Sequence, residues 1–417
     1  MTSEIAIMNR KAVALAADSV GTLVRGGTQT STHKSFDTLH KLFQLPGTQS
    51  VGVMFYGNAD CMGVPMETLI RMYPGSKKLP LLSDYTEDFL TYLAGFNFTS
   101  EQFDGYLQKT ARRIFLRLRT KIDREVESII EREGKVAKAQ LSKIASNQIK
   151  SSIEVIKGLA KNSTVSPRKR TSLANKYSGS IHELADKIFE NRPLPKAIRS
   201  EFAIWVINAC CINPDSFTGL VFAGFGEDEH FPSCIELDIK GVFGQQAIYR
   251  LKDSSSIKID NDVIIRPFAE ADDVVTFMKG MNRDVQTFVQ NSQEYLLRES
   301  LPEVLSAAIS KNLKLKPNQT EKIKTIATTI GESAQQEFKR ELMRYQSEEF
   351  TAPVFGATRH MTPDILAKMA ETLIDLVSFR QEMSISSETV GGPIDVAVIT
   401  KSDGFMWAKR KVGVTLA

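Results

Sequence analysis

The stretch Thr2-Ser3-Glu4-Ile5-Ala6-Ile7-Met8-Asn9-Arg10-Lys11-Ala12-Val13-Ala14-Leu15-Ala16-Ala17-Asp18 decides how the rest of the chain is read. Glu4 to Met8 alternates in character, Asn9-Arg10-Lys11 is a polar turn, and Ala12 to Ala17 is small and apolar. Together they predict a β-hairpin with one buried face, opening at the second residue of the sequence. Beyond it, the Gly- and Thr-rich Gly21 to Thr32 reads as a loop. Lys41 to Leu45 and Ser50 to Tyr56 read as two more strands, joined at Pro46-Gly47. Gly57-Asn58-Ala59-Asp60 then turns the chain into a helix with Met66, Leu69, Ile70 and Met72 on its apolar side.

From Phe103 the period becomes helical. Tyr106, Leu107, Ile114, Leu118, Ile122, Val126, Ile129 and Ile130 mark the buried stripe of one long helix, with arginines on its other faces. Ser163 to Ser172 reads as a basic loop around Pro167-Arg168-Lys169-Arg170, and Asn191 to Pro195 as a helix break. Strand character returns at Thr218 to Phe225, Cys234 to Asp238 and Ala247 to Leu251. Helices are expected at Ala271 to Arg298, Gln319 to Tyr345 and Thr362 to Gln381. Ile394 to Thr400, the turn Ser402-Asp403-Gly404 and Phe405 to Lys409 form a terminal hairpin. The resulting division is a strand-bearing core at 1–100, 213–298 and 358–417, a basic helical insertion at 101–212 and a helical extension at 299–357.

The chain has 417 residues, of which 42% are hydrophobic and 24% charged, which excludes wholesale disorder and collagenous or fibrous classes. No apolar run approaches the roughly 20 residues of a membrane helix. Glu4, Asn9 and Arg10 stand where a signal peptide would need an apolar stretch, so a cytoplasmic protein without membrane association is expected. Cys61, Cys210, Cys211 and Cys234 show no CxxC spacing and read as buried thiols. The five histidines, at 33, 40, 182, 230 and 360, are unpaired at helical spacing, so neither metal nor cofactor is expected. Charge is unevenly spread: residues 101–200 hold 22 Lys and Arg against 11 Asp and Glu, leaving −7 for the remainder of a +4 chain. Such a segment suits nucleic acid or an acidic protein partner, or is a solvated helical face.

Thr2 carries the chemistry. Removal of Met1 would leave a threonine with a free α-amine at the head of a strand, a nucleophile and a base in one residue. The amine, with a reference pKa of about 7.7–8.0, can accept the hydroxyl proton without a histidine. The opening run, Asp18, Lys41-Leu42-Phe43-Gln44-Leu45, Val51 to Gly57, Thr218 to Gly226, and Gly391-Gly392-Pro393-Ile394-Asp395-Val396-Ala397-Val398-Ile399-Thr400 followed by Asp403-Gly404 resemble, in that order, the proteasome β-type and HslV-like N-terminal nucleophile hydrolases. The resemblance covers 1–75, 217–298 and 360–412.

The resemblance implies a four-layer αββα sandwich of the α+β class, two antiparallel sheets flanked by helices, with large helical insertions. It implies that Thr2 is the nucleophile, that Asp18 holds Lys41 by a charge-assisted hydrogen bond, that Lys41 favours the alkoxide, and that Gly57 offers an oxyanion N–H. The Asp18 to Lys41 interval is longer than the family's loop, so Gly21 to His40 is expected to form an enlarged rim. Ser387 and Val390 fall at the family's later supporting positions by simple register, Glu388 replaces the acid if the loop shifts, and Glu270 stands near the helix-start serine. The expected function is a threonine-type peptidase acting on a polypeptide substrate through an acyl-enzyme, assembled as a homo-oligomer, with an ATPase or other protein partner left open. Two alternatives stand beside it: an idle scaffold whose segment 101–200 binds nucleic acid or an acidic partner, and a small-molecule amidase or acyltransferase. Arg168, Lys169 and Arg170 are the expected partner-binding residues.

Overall fold

The computed structural model describes residues 2–25, 32–36, 39–75, 78–161, 163–190, 196–212, 217–383 and 391–411. In chain order the first half runs β1 (Ser3–Asn9), β2 (Ala12–Ala17), β3 (Gly21–Arg25), β4 (Thr32–Phe36), β5 (Leu42–Gln44), β6 (Val51–Gly57), β7 (Asp60–Cys61), β8 (Val64–Pro65), α1 (Met66–Arg71), α2 (Leu82–Gly95), α3 (Ser100–Glu133), α4 (Lys138–Ala160), α5 (Pro167–Lys176), α6 (Ser178–Ile188), α7 (Lys196–Arg199) and α8 (Phe202–Cys210). The second half runs β9 (Thr218–Gly224), β10 (Ser233–Val242), β11 (Ala247–Ser256), β12 (Val263–Ala269), α9 (Asp272–Lys279), α10 (Arg283–Glu294), a π-helical turn (Tyr295–Ser300), α11 (Leu301–Leu313), α12 (Pro317–Gln346), a second π turn (Ser347–Thr351), α13 (Ala352–His360), α14 (Pro363–Glu382), β13 (Asp395–Thr400) and β14 (Gly404–Lys409). This is the α+β class, two antiparallel sheets flanked by helices, as the sequence led us to expect.

The chain forms two compact units, Met1–Leu39 with Ile257–Val398 and Trp407–Ala417, and His40–Ser256 with Ile399–Met406. The first unit carries the sheet β12-β1-β2-β13-β14. Its opening hairpin is closed by Asn9, whose Oδ1 accepts the N–H groups of Lys11 (2.9 Å) and Ala12 (3.2 Å), an Asx turn that explains why the polar tripeptide reverses the chain. One face of this sheet, through Ile5, Ile7, Ala14, Ala16 and Val396, packs on Leu366, Ala370, Leu373 and Val377 of α14. Strand β12 was not read from the sequence because Pro267 interrupts its pattern. It pairs with β1 in the register Ile5↔Pro267 and lies at the sheet edge, where a residue without an N–H is tolerated.

The second unit carries the sheet β11-β10-β9-β6-β5. Val51, Val53, Phe55, Leu220, Phe222 and Leu237 bury one face of it against Leu69 and Ile70 of α1 and Phe89 and Leu93 of α2. The helices α3 to α8 form a further core cluster, which also takes in Phe243 after β10 and Ile248 of β11. Leu107, Phe115, Leu118 and Ile122 of α3 meet Ile149 of α4, Ile181 of α6 and Phe202 and Trp205 of α8. Ile114 and Val126 are only partly buried, and Ile130 is exposed.

Several local readings are corrected. Gly21 to Thr32 is not one loop: β3 and β4 pair antiparallel in the register Gly21↔Phe36. The turn after Gly57 leads first into the short pair β7–β8 and only then into α1. Ala271 to Arg298 is two helices, because Gly280 caps α9 in the left-handed region (φ 68°) and the Asn282 side chain accepts the Asp284 N–H to start α10. The basic loop at Ser163 to Ser172 is mostly α5, begun by the N-cap Ser166 with Pro167 in the first turn.

Candidate active site

In the first unit, Thr2 stands immediately before β1 and is 8% exposed. Its carbonyl accepts the Glu270 N–H at 3.0 Å, which ties it to the end of β12. The Ser3 N–H donates to Asp18 Oδ1 at 3.2 Å, while the Asp18 N–H donates to the Ser3 carbonyl at 3.1 Å. The other carboxylate oxygen of Asp18, Oδ2, accepts the Gly391 N–H at 3.2 Å. The next residue, Ser19, receives its own pair of links: its N–H donates to the Gly391 carbonyl and its hydroxyl to the Pro393 carbonyl. Asp18 and Ser19 thus lash the Gly391-Gly392-Pro393 turn to the strand that carries Thr2. Gly391 (φ 145°) and Gly392 (φ 72°) both occupy backbone conformations that favour glycine.

Among the sequence-derived candidates, the structure therefore brings Thr2, Asp18 and Glu270 together. Glu270 takes part through its backbone; its side chain is half-buried. Ser387, Glu388 and Val390 lie outside the described residues. Ser19 and Gly391 were missed as site residues. The only signal for them is a serine directly after the acid and a Gly-Gly-Pro run near the far end of the sequence, and nothing in spacing links the two.

In the second unit, Lys41 precedes β5 and is 2% exposed. Its carbonyl accepts the Phe55 N–H at 3.1 Å, so Lys41 and Gly57 lie at the same end of the β5–β6 pair. Gly57 is exposed, with φ 80°, and a Cβ there would stand 2.8 Å from the Phe217 carbonyl. The adjacent Asn58 N–H donates to that same carbonyl at 3.1 Å. The bend itself thus demands glycine, whatever further use its N–H has.

No family of known proteins matches the chain, and neither does any curated protein. Among solved structures the chain is similar to Anbu, an ancestral beta-subunit, from Yersinia bercovieri, with a TM-score of 0.27 and 9% identity over 97% of this chain and 86% of that one. Likeness at that level decides nothing about fold or chemistry.

The remaining candidates separate by burial. Arg168 is exposed on α5, the Lys169 ammonium donates to the Gly244 carbonyl at 2.9 Å, and Arg170 is buried with its guanidinium on Asn208 Oδ1 at 2.8 Å. Arg170 is thus part of the helical module's interior. All four cysteines are free and buried, and burial pushes the thiols of Cys61 and Cys211 up to about 12 and that of Cys210 up to about 11. Neutral thiols of that kind are poor nucleophiles. Among the described residues, no group of His, Cys, Asp or Glu is gathered so as to hold a metal, and no helix is long and apolar enough to cross a membrane.

Proposed function

We propose that this chain is a proteasome-like, threonine-type amide hydrolase, most specifically a peptidase, whose nucleophile is the Thr2 hydroxyl once whatever precedes Thr2 has been removed. The observation that carries the reading is the clamp at the head of β1. A threonine before the first strand of a chain is ordinarily frayed, whereas Thr2 is buried and held at its own carbonyl by Glu270 and at the next peptide by Asp18, which also holds Gly391. Such positioning is what converts a weak hydroxyl nucleophile into a useful one.

In the proposed cycle the α-amine takes the hydroxyl proton as Oγ1 attacks the substrate carbonyl. The tetrahedral intermediate collapses, the amine passes the proton to the leaving nitrogen, and a Thr2 ester remains. Water activated by the same amine hydrolyses the ester and restores the hydroxyl. Lys41 is proposed as the positive charge that favours the alkoxide, and the Gly57 N–H as an oxyanion donor.

The test is mass spectrometry of the N-terminus, with and without an electrophilic threonine-directed probe. The expected result is a chain beginning at Thr2, modified at that residue, with hydrolysis of short peptides abolished in Thr2→Ala while the thermal transition is retained. Undiminished hydrolysis by Thr2→Ala, or by a chain with Met1 still attached, overturns the proposal. A mature Thr2 that neither reacts nor hydrolyses favours the idle scaffold.

A further inference from the structure

The helices from Arg283 to Gln346 form an arm of the first unit with little interior of its own. Among the described residues α10 buries none, α11 buries Pro302 and Ser306, and α12, 30 residues long, buries Gly331 and Gln346. The two limbs run antiparallel through a turn at Lys314, which adopts the left-handed φ of 49°. They are held together by contacts along a narrow seam. Gly331 lies so close to the Leu297 carbonyl that a Cβ would overlap it, and Arg298 reaches Glu332 at 2.6 Å.

An amphipathic helix ordinarily turns its apolar stripe inward. On this arm large apolar residues lie outside the seam: Leu296, Leu301 and Leu305 on the first limb and Ile326 and Ile330 on the second are 40–64% exposed. Each set repeats at helical spacing. Each also sits one residue before its seam positions, Leu305 before Ser306 and Ile330 before Gly331, a rotation of about 100° about the helix axis. Because the limbs are antiparallel, the same rotation carries both stripes to the same side, and the arm presents one broad apolar face.

Charge along the arm is polarised from tip to base. Lys311, Lys314, Lys316, Lys322 and Lys324 surround the tip against Glu321, and none of the five has an ion-pair partner among the described residues. Towards the base of the second limb, Glu332, Glu337, Glu341, Glu348 and Glu349 outnumber Lys339, Arg340 and Arg344; Glu337 pairs with Arg340, Glu341 and Glu348 with Arg344, and Glu332 with Arg298 of the first limb, where Asp284, Glu294, Glu299 and Glu303 in turn outnumber Arg283 and Arg298. Lys322 lies four residues before Ile326 and so continues the apolar stripe at its tip end, while Glu337 and Glu341, seven and eleven residues after Ile330, continue it at the other.

We propose that this face is an interface between two copies of the chain, docked about a two-fold axis near Ile330 with the tip of each arm over the base of the other, so that the two arms make a four-helix bundle. The two-fold operation lays apolar face on apolar face and sets lysines over glutamates twice. A parallel arrangement would set lysines over lysines. A foreign partner of one charge sign would match half of the face and be repelled by the rest. The area is adequate: a limb about 45 Å long and two helices about 10 Å apart offers roughly 900 Å² per copy, about 1,800 Å² in total, which is the range of stable interfaces. This assembly does not depend on Thr2 being a nucleophile.

The test uses the full chain in sedimentation velocity at low salt. A tip-reversed variant carries Lys311→Glu, Lys316→Glu and Lys322→Glu; a base-reversed variant carries Glu337→Lys, Glu341→Lys and Glu348→Lys. The wild type should contain an even number of chains. Each reversed variant alone should sediment with half its mass, and an equimolar mixture of the two should recover the wild-type mass, because every tip then faces a base of opposite sign. Ile330→Asp should also halve the mass, with no recovery on mixing. Circular dichroism checks folding, and the charge variants keep the test open if Ile330→Asp does not fold. A single-chain wild type, reversed variants that assemble as the wild type does, or a mixture that stays dissociated overturns the proposal.

Discussion

Asp18 binds two peptide groups that lie far apart in sequence, Ser3 on one side and Gly391, 373 residues away, on the other. An asparagine there keeps one acceptor and sets an NH₂ group against one of the two N–H donors. Asp18→Asn should therefore cost about 1–3 kcal/mol, read as a lowered thermal midpoint, in addition to any loss of hydrolysis. Lys41→Ala should lower kcat/KM on the order of 100-fold if its charge acts on the nucleophile. If Asp18 and Lys41 work as a pair, the double mutant's loss in activation free energy should fall short of the sum of the single losses. Gly57→Ala forces a side chain into a left-handed bend and against a carbonyl, and should destabilise the fold by about 1–2 kcal/mol in denaturant titration. Asp18 was legible in the sequence as an acid closing an apolar strand. Its bond to Gly391 was not, since no periodicity connects residues so distant.

Elements with a strong period were the readable ones. The long helix α3 shows because its apolar residues recur at helical spacing over many turns, and β1–β2 because an apolar strand pair flanks a polar tripeptide that can form an Asx turn. Where local chemistry opposed the tertiary outcome the reading failed: Pro267 hid an edge strand, and a run of cations masked the Ser166-Pro167 signal that starts α5. The consequence for the basic segment is practical. Arg170→Ala should cost about 1–3 kcal/mol by stranding Asn208, whereas Arg168→Ala should stay within about 0.5 kcal/mol, both measurable by chemical denaturation. Docking of an acidic partner is therefore to be tested with Arg168→Ala and Lys169→Ala together, leaving Arg170 in place.

For the molecule as a whole, the buried thiols set a limit in alkali. A thiol held above its ordinary pKa keeps its proton in the folded chain where the unfolded chain has released it, so stability is full below about pH 8.5 and declines as pH rises beyond that, by about 1.4 kcal/mol per unit for each thiol until the folded value is reached. Thermal melts across that range should show the decline, and Cys61→Ala should lessen it. A consequence of another kind follows from the clamp on Asp18. During synthesis the hairpin bearing Thr2 leaves the ribosome well before Gly391, which is made 373 residues after Asp18, about 20–75 seconds later at ordinary elongation rates. Until Val263–Ala269 has been made, the first strand also lacks β12, its partner along one edge. The order of manufacture thus acts as a delay: a chain stalled short of Gly391 carries Thr2 with the far side of its clamp, the Asp18–Gly391 bond, still unmade.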